Sequence, residues 1–226
     1  MRLLIVALLL LAACGRPLTE REAFVADALT GGTVDPRPVR FNDGHPFAAY
    51  SYTRPIRPRL TCQDRLFPPS KGERVEVSAG AIALFNRVMW REDIFRDDFF
   101  AEMPEVIDLY SAMLFAHEMT HVWQWQQRER TGYHPFRAAA EHQRSDDPYL
   151  FDPDATGDFF AYGYEQQGSL VEEYVCCLVL DPEAPRTDRL RQTISGAMDI
   201  SGLERVLEAR NVRIPWAGAE TENICR

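Results

Sequence analysis

The sequence predicts an α+β fold: a buried helix bearing paired histidines, packed on a small sheet and on a second helix rich in glutamate. Three observations predict it. Residues 104–130 run at helical spacing with apolar side chains on nearly every face, as in a helix enclosed by protein. Residues 75–85 alternate apolar with polar or small side chains, as strands do. Residues 160–180 form another helical stretch, which carries Glu165, Glu172 and Glu173.

The elements follow in chain order. Met1–Gly15 is one arginine and then a short apolar run, a secretory signal rather than a spanning helix, which needs about 20 apolar residues. Its end, Leu11-Ala12-Ala13-Cys14, resembles the lipobox of bacterial lipoproteins. The resemblance implies cleavage after residue 13, acylation of Cys14 and, because Gly15 rather than aspartate follows, sorting to the outer membrane. Residues 14–226 would then form one domain of 226 − 13 = 213 residues, enough for a proper core. The formal net charge of −9 argues against nucleic acid as a partner and against a polybasic membrane patch. The lipid alone would hold the protein at the membrane.

Thr19-Glu20-Arg21-Glu22 has the form of a capping box, opening a short helix that ends at Gly31-Gly32. Only four residues separate Cys14 from Thr19, a reach of about 15 Å, so the domain would sit close to the lipid surface. Seven prolines between Val34 and Arg74 exclude long helices there. Residues 75–79 and 81–85 read as one or two strands. The helix of residues 104–130 follows, opened by Pro104 with Glu105 and Asp108 in its first turn. Residues 131–158 read as loop-rich, residues 160–180 as helix, and residues 187–209 as a last amphipathic helix or pair. Besides Cys14 there are Cys62, Cys176, Cys177 and Cys225, compatible with two disulfides in an oxidising compartment. Cys176 and Cys177 point about 100° apart on a helix, so separate partners, Cys62 and Cys225, are favoured over a vicinal bridge. The connectivity stays open.

The chemistry lies in His117-Glu118-Met119-Thr120-His121. Two imidazoles one helical turn apart project from one face and can reach the same metal ion, ordinarily zinc. Glu118 is placed to take a proton from a water on that metal. With 5 histidines in 226 residues, the H-E-x-x-H pattern would arise by chance in roughly one per cent of such chains. Burying two histidines without partners would also be costly. Catalytic zinc needs a third protein ligand and an open position. A further histidine six residues on is absent, since Gln124 and Gln127 stand where a glycine and a histidine would complete that arrangement. Glu165, Glu172 and Glu173 are the remaining acidic candidates on the second helix. Glu173 lies opposite the apolar face and should be solvated. Glu165 and Glu172 share a flank about 10 Å apart, and Gly168 between them would let the helices approach closely.

Glu165-Gln166-Gln167-Gly168-Ser169 resembles the third-ligand segment of the gluzincin peptidases. Three blocks resemble a group of Vgr-related metallopeptidases: Leu18-Thr19-Glu20-Arg21-Glu22 with Val39-Arg40, then His117-Glu118-Met119-Thr120-His121-Val122-Trp123-Gln124, and Tyr164-Glu165-Gln166-Gln167 through Tyr174. The resemblance implies a zincin-like fold, with Zn2+ held by His117, His121 and Glu165, Glu118 as general base, and a peptide or protein substrate paired along the Ala81–Phe85 strand. Glu172, His142, His134 or an aspartate are the other candidate ligands. Ser169 departs from the family, where many members have aspartate to orient a ligand histidine. Tyr133, Tyr162, Tyr164, Tyr174 and His134 are candidate donors to the oxyanion. Asp152-Pro153-Asp154-Ala155-Thr156-Gly157-Asp158 superficially matches a calcium loop, but its twelfth position is Gly163 rather than glutamate. Two rival expectations remain: a non-catalytic envelope scaffold with this fold, and an amidase acting on cell-wall peptides.

Overall fold

The computed structural model describes residues 15–47, 49–154 and 156–226; the signal segment and Cys14 lie outside the described residues. In chain order the elements are α1 (Glu20–Thr30), β1 (Arg40–Asp43), β2 (Ser51–Pro55), α2 (Cys62–Leu66), β3 (Arg74–Ser78), β4 (Ala81–Leu84), β5 (Arg87–Trp90), β6 (Val106–Asp108), α3 (Leu109–Gln126), α4 (Arg128–Thr131), α5 (Pro135–Arg144), α6 (Tyr164–Leu180), α7 (Pro185–Ser195), α8 (Leu203–Val206) and β7 (Asn211–Arg213). The fold is α+β with small sheets, as expected. No helix among the described residues is long and apolar enough to cross a membrane.

The alternation over residues 75–85 resolves into strands of two different sheets. β3 pairs antiparallel with β2, whereas β4 is an edge of the sheet β1-β5-β4, with β1 and β5 parallel and β4 antiparallel to β5. Phe41 of β1, Trp90 of β5, Phe99, Phe100 and Phe115 of α3 interlock with ring centroids 4.4–6.0 Å apart. Such pairs add about 0.5–1.5 kcal/mol each beyond simple burial. This cluster fixes α3 against the sheet. The capping box forms as read: the Thr19 hydroxyl accepts from Glu22 N, and Glu22 accepts from Thr19 N.

Three expectations need correction. The helix does not start at Pro104; Val106–Asp108 instead pair in parallel with Asn211–Arg213, and Asp108 caps α3 by accepting from Ser111 N at 3.0 Å. Its backbone is therefore held in extended form from outside, which overrides the helical pattern. The stretch after α3 is not all loop, for α5 occupies Pro135–Arg144. And Glu173 is buried, not solvated (1 % exposed), because α6 is enclosed on several sides, by α2, α3 and α7.

Glu173 accepts from Cys62 N at 3.0 and 2.8 Å and from Arg186 Nη1 at 3.1 Å. Glu173→Ala strands the buried Arg186 guanidinium, so it should cost about 3–5 kcal/mol in urea unfolding. Burial pushes the Glu173 carboxyl up to about 7, against the pull of Arg186. The folded protein thus keeps a proton that the unfolded chain releases near the ordinary glutamate value of 4.5. Stability from this site is complete below that value and is lost as pH rises through 7. Glu173→Gln should flatten that decline.

The cysteines pair as Cys62–Cys176 and Cys177–Cys225. Each neighbour on α6 takes its own partner, the arrangement the 100° offset favoured, and the segment around Cys225 is tied to the core.

Candidate metal centre

α3 and α6 lie side by side, and Gly168 is what brings them together. A Cβ at residue 168 would stand 2.8 Å from Cε1, 2.9 Å from Nε2 and 3.0 Å from Nδ1 of His117. The His117 ring rests directly on the α6 backbone. One turn along α3, His121 lies beside it, with ring centroids 5.0 Å apart.

Three ligand atoms converge. His121 Nε2 is 3.2 Å from His117 Nε2 and 3.2 Å from Glu165 Oε2, and His117 Nε2 is 3.5 Å from Glu165 Oε2. Zinc with ligands near 2.0–2.1 Å in a tetrahedron spaces its ligand atoms about 3.3 Å apart, so this triangle has the size of one face of such a site. All three side chains are buried. The far nitrogen of each ring is already engaged: His117 Nδ1 lies 3.2 Å from Glu172 Oε2, and His121 Nδ1 lies 2.8 Å from Gln124 Oε1. With the Nδ1 protons donated outward, both Nε2 lone pairs face inward, the state that a metal requires. Three acceptors this close repel one another unless a cation or proton sits among them. Consistent with that demand, the carboxylates of Glu165 and Glu172 overcome the lowering effect of burial and push the His117 imidazole up to about 10. His121 is raised by the Glu165 carboxylate, also against burial.

Glu118 stands next to this triangle without belonging to it. It is buried, and among the described residues its Oε2 has no hydrogen-bond partner. Burial raises its carboxyl, while the two imidazoles pull it down. An unpartnered buried carboxylate oxygen is costly, and a water beside the three ligands would satisfy it. The donor set and this orphan fit a metal centre with an open position.

No family model matches the chain, and no curated protein matches it. Among solved structures it is similar to the effector domain of Pseudomonas aeruginosa VgrG2b, with 23% identity over 82% of this chain and 84% of that one, and a TM-score of 0.49. That likeness is too low to carry an activity across. The cluster stands on its own geometry: His117, His121 and Glu165 together could hold a metal ion.

Glu172, a rival ligand by sequence, instead orients His117. Glu172 lies about one turn beyond Ser169 on α6, and its Oε2 meets the Nδ1 edge of the His117 ring. His142 reaches the other oxygen of Glu165, Oε1, at 3.5 Å. His134 is not at the cluster; its ring meets Phe85, Trp125 and Phe136. Of the candidate oxyanion donors, Tyr133 stacks on His121 with centroids 5.9 Å apart. Tyr164 donates to Gly132 O, and Tyr174 pairs with Arg191. Tyr149, which the sequence did not single out, lies 5.8 Å from the His117 ring and 5.4 Å from that of His142. Burial raises both Tyr133 and Tyr149, so both phenols keep their protons and remain donors.

The calcium-like run is otherwise engaged: Asp154 pairs with Arg189 at 2.7 Å and Asp158 accepts from Phe160 N. Cys62, Cys177 and Cys225 also come together, but each is consumed in a disulfide.

Sequence reasoning missed the helix α5 and, on it, Glu141, although it named His142. Glu141 accepts from Tyr164 N at 2.9 Å and Glu165 N at 3.1 Å, so a carboxylate from α5 caps α6 where its dipole is positive. That pins the backbone of Glu165 itself. The signal was present, since Pro135 followed by Ala138-Ala139-Ala140 is a helix start and then the best of helix formers.

Proposed function

We propose that this protein is a zincin-type zinc metallopeptidase, with His117, His121 and Glu165 as ligands and Glu118 as general base. The observation that carries the reading is the triangle of Nε2, Nε2 and Oε2 atoms, 3.2–3.5 Å on a side, with an unpartnered buried carboxylate beside it. Zinc bound there supplies a Lewis acid for the scissile carbonyl and lowers the pKa of a water it holds. Glu118 takes the proton of the attacking water and delivers it to the leaving amine. Burial of its carboxyl raises its basicity and so suits it to that exchange. Gln124 and Glu172 hold the two imidazoles in the ligating tautomer. Tyr133 and Tyr149, both neutral, flank the ligand rings as donors to the developing oxyanion. The outer edge of β4 has no strand partner among the described residues, and it offers backbone groups to an extended peptide. The lipobox-like ending at Cys14 supports an envelope protein held by lipid.

The test is elemental analysis of the purified protein together with cleavage of a peptide library. We expect one zinc per chain and library cleavage, with His121→Ala losing both and metal affinity falling by more than about 100-fold. Protein that takes up no zinc ends the proposal. Protein full of zinc yet inert on peptides and wall fragments returns the scaffold, and cleavage confined to wall peptides returns the amidase.

A further inference from the structure

Resting on that reading, we infer that Gln63 is a positioning residue for the metal centre, and that the Cys62–Cys176 disulfide holds it in place, so that metal affinity depends on that bond being oxidised. The chain of contacts is continuous. The two oxygens of the buried Glu172 carboxylate are divided: Oε2 faces His117 Nδ1 at 3.2 Å, and Oε1 accepts from Gln63 Nε2 at 2.6 Å. With one oxygen fixed by Gln63, the other is aimed at the ligand ring. Glu172 and Gln63 line a narrow crevice with Arg57, Thr61 and Tyr149, wide enough for about one water, so a released carboxylate has an alternative to His117. The Arg57 guanidinium there is already bonded to Asp147 at 2.5 Å. Freed from Gln63, the Glu172 carboxylate can swing toward water and that cation, leaving His117 without its tautomer-setting acceptor.

Gln63 in turn lies on α2, five residues long and far below the length at which a helix holds itself. It is held from outside. Cys62, its immediate neighbour, is bonded through sulfur to Cys176 of α6 and through its amide N–H to Glu173. Cys176 and Glu172 sit one turn apart on α6. The disulfide thus fastens the donor of Gln63 to the helix that carries its acceptor. Its reduction by a trialkylphosphine consumes one S–S bond and one water, the phosphine supplying two electrons, and gives two thiols and the phosphine oxide; α2 then keeps the Cys62 amide bond, the Arg65 donation to Ile224 O and the burial of Leu66, but loses its covalent tie to α6 beside Glu172.

Zinc affinity, read by chelator competition, tests both links. Gln63→Ala should weaken zinc binding by about 10–100-fold without changing the melting temperature of the metal-free protein. In a Glu172→Ala background the same substitution should add almost nothing, because Gln63 acts only through Glu172. Cys62→Ser/Cys176→Ser should lose affinity to a similar extent, whereas Cys177→Ser/Cys225→Ser should not. Should the first pair fail to fold, phosphine treatment of the zinc-loaded Cys177→Ser/Cys225→Ser protein gives the second measurement: zinc should leave as two thiols appear. Wild-type affinity in Gln63→Ala, or equal losses with and without Glu172, overturns the role of Gln63. Zinc kept after the bond is opened overturns the role of the disulfide. Wild-type protein that binds no zinc at all overturns the underlying proposal instead.

Discussion

Glu118→Gln should lower kcat on any cleaved peptide by roughly 10²–10⁴-fold while zinc affinity stays within about threefold of wild type. The two readouts separate because Glu118 stands outside the ligand triangle. Glutamine has nearly the same shape, so the packing of α3 between sheet and α6 is preserved. What is removed is the charge and the capacity to take a proton. Stability adds a third expectation with an unusual sign. Among the described residues the buried Glu118 Oε2 has no protein partner, and burying a charge costs more than burying a neutral amide. The variant should melt at the same temperature as wild type or slightly higher, the exchange of stability for activity expected when a site is built around an unsatisfied group. Thermal melts, metal analysis and single-turnover hydrolysis read all three. Undiminished turnover would remove Glu118 from the mechanism, and loss of zinc would make it a ligand.

Gly168→Ala should weaken zinc binding by about 10–100-fold, and here too the sign is informative. In a helix interior alanine is favoured over glycine by about 1 kcal/mol, so a residue of no consequence would gain stability from the change. At this position the added methyl would fall 2.8–3.0 Å from three atoms of the His117 ring. The ring has no easy retreat: Glu172 holds its Nδ1 edge, and His121 and Glu165 face its Nε2 edge. Either the ring tilts away from the ligand triangle or α6 moves off α3. A shift near 1 Å also costs about 10²-fold in turnover. Chelator competition and a melt of the metal-free protein distinguish the two routes, since the first spares the apo fold and the second does not. Zinc affinity unchanged by the methyl group would show that the ring does not need this close approach.

The histidine pair of the cluster was legible because it lies within one helical turn, where spacing alone determines which side chains share a face. Glu165 became legible only through resemblance, since the periodicity of α6 left it equivalent to Glu172. The two differ in what stands opposite them: Glu165 faces the Nε2 atoms and Glu172 the Nδ1 edge of a ring, a distinction that no one-dimensional pattern contains. Glu173 was misread for a related reason. A helical wheel assigns solvent to the face opposite the apolar centre, but α2 and Arg186 occupy that face. The helix start was displaced because the partner of residues 106–108 lies about a hundred residues later. Gln63 gave no signal at all, as a lone glutamine in a proline-rich stretch. Local chemistry was readable from the chain, whereas roles set by long-range neighbours were not.

The pairing of β6 with β7 bears on when the protein can begin to work. Asp108, the cap of the helix that carries both histidines, belongs to a strand whose only partner among the described residues is Asn211–Arg213, and Cys225 must be present before Cys177 can be closed. A nascent chain that has not yet reached Asn211–Arg213 therefore lacks the support at the start of that helix, whatever the rest has achieved. Assembly of this region waits on a late segment: the start of the histidine-bearing helix gains its strand partner only once residues 211–213 have emerged.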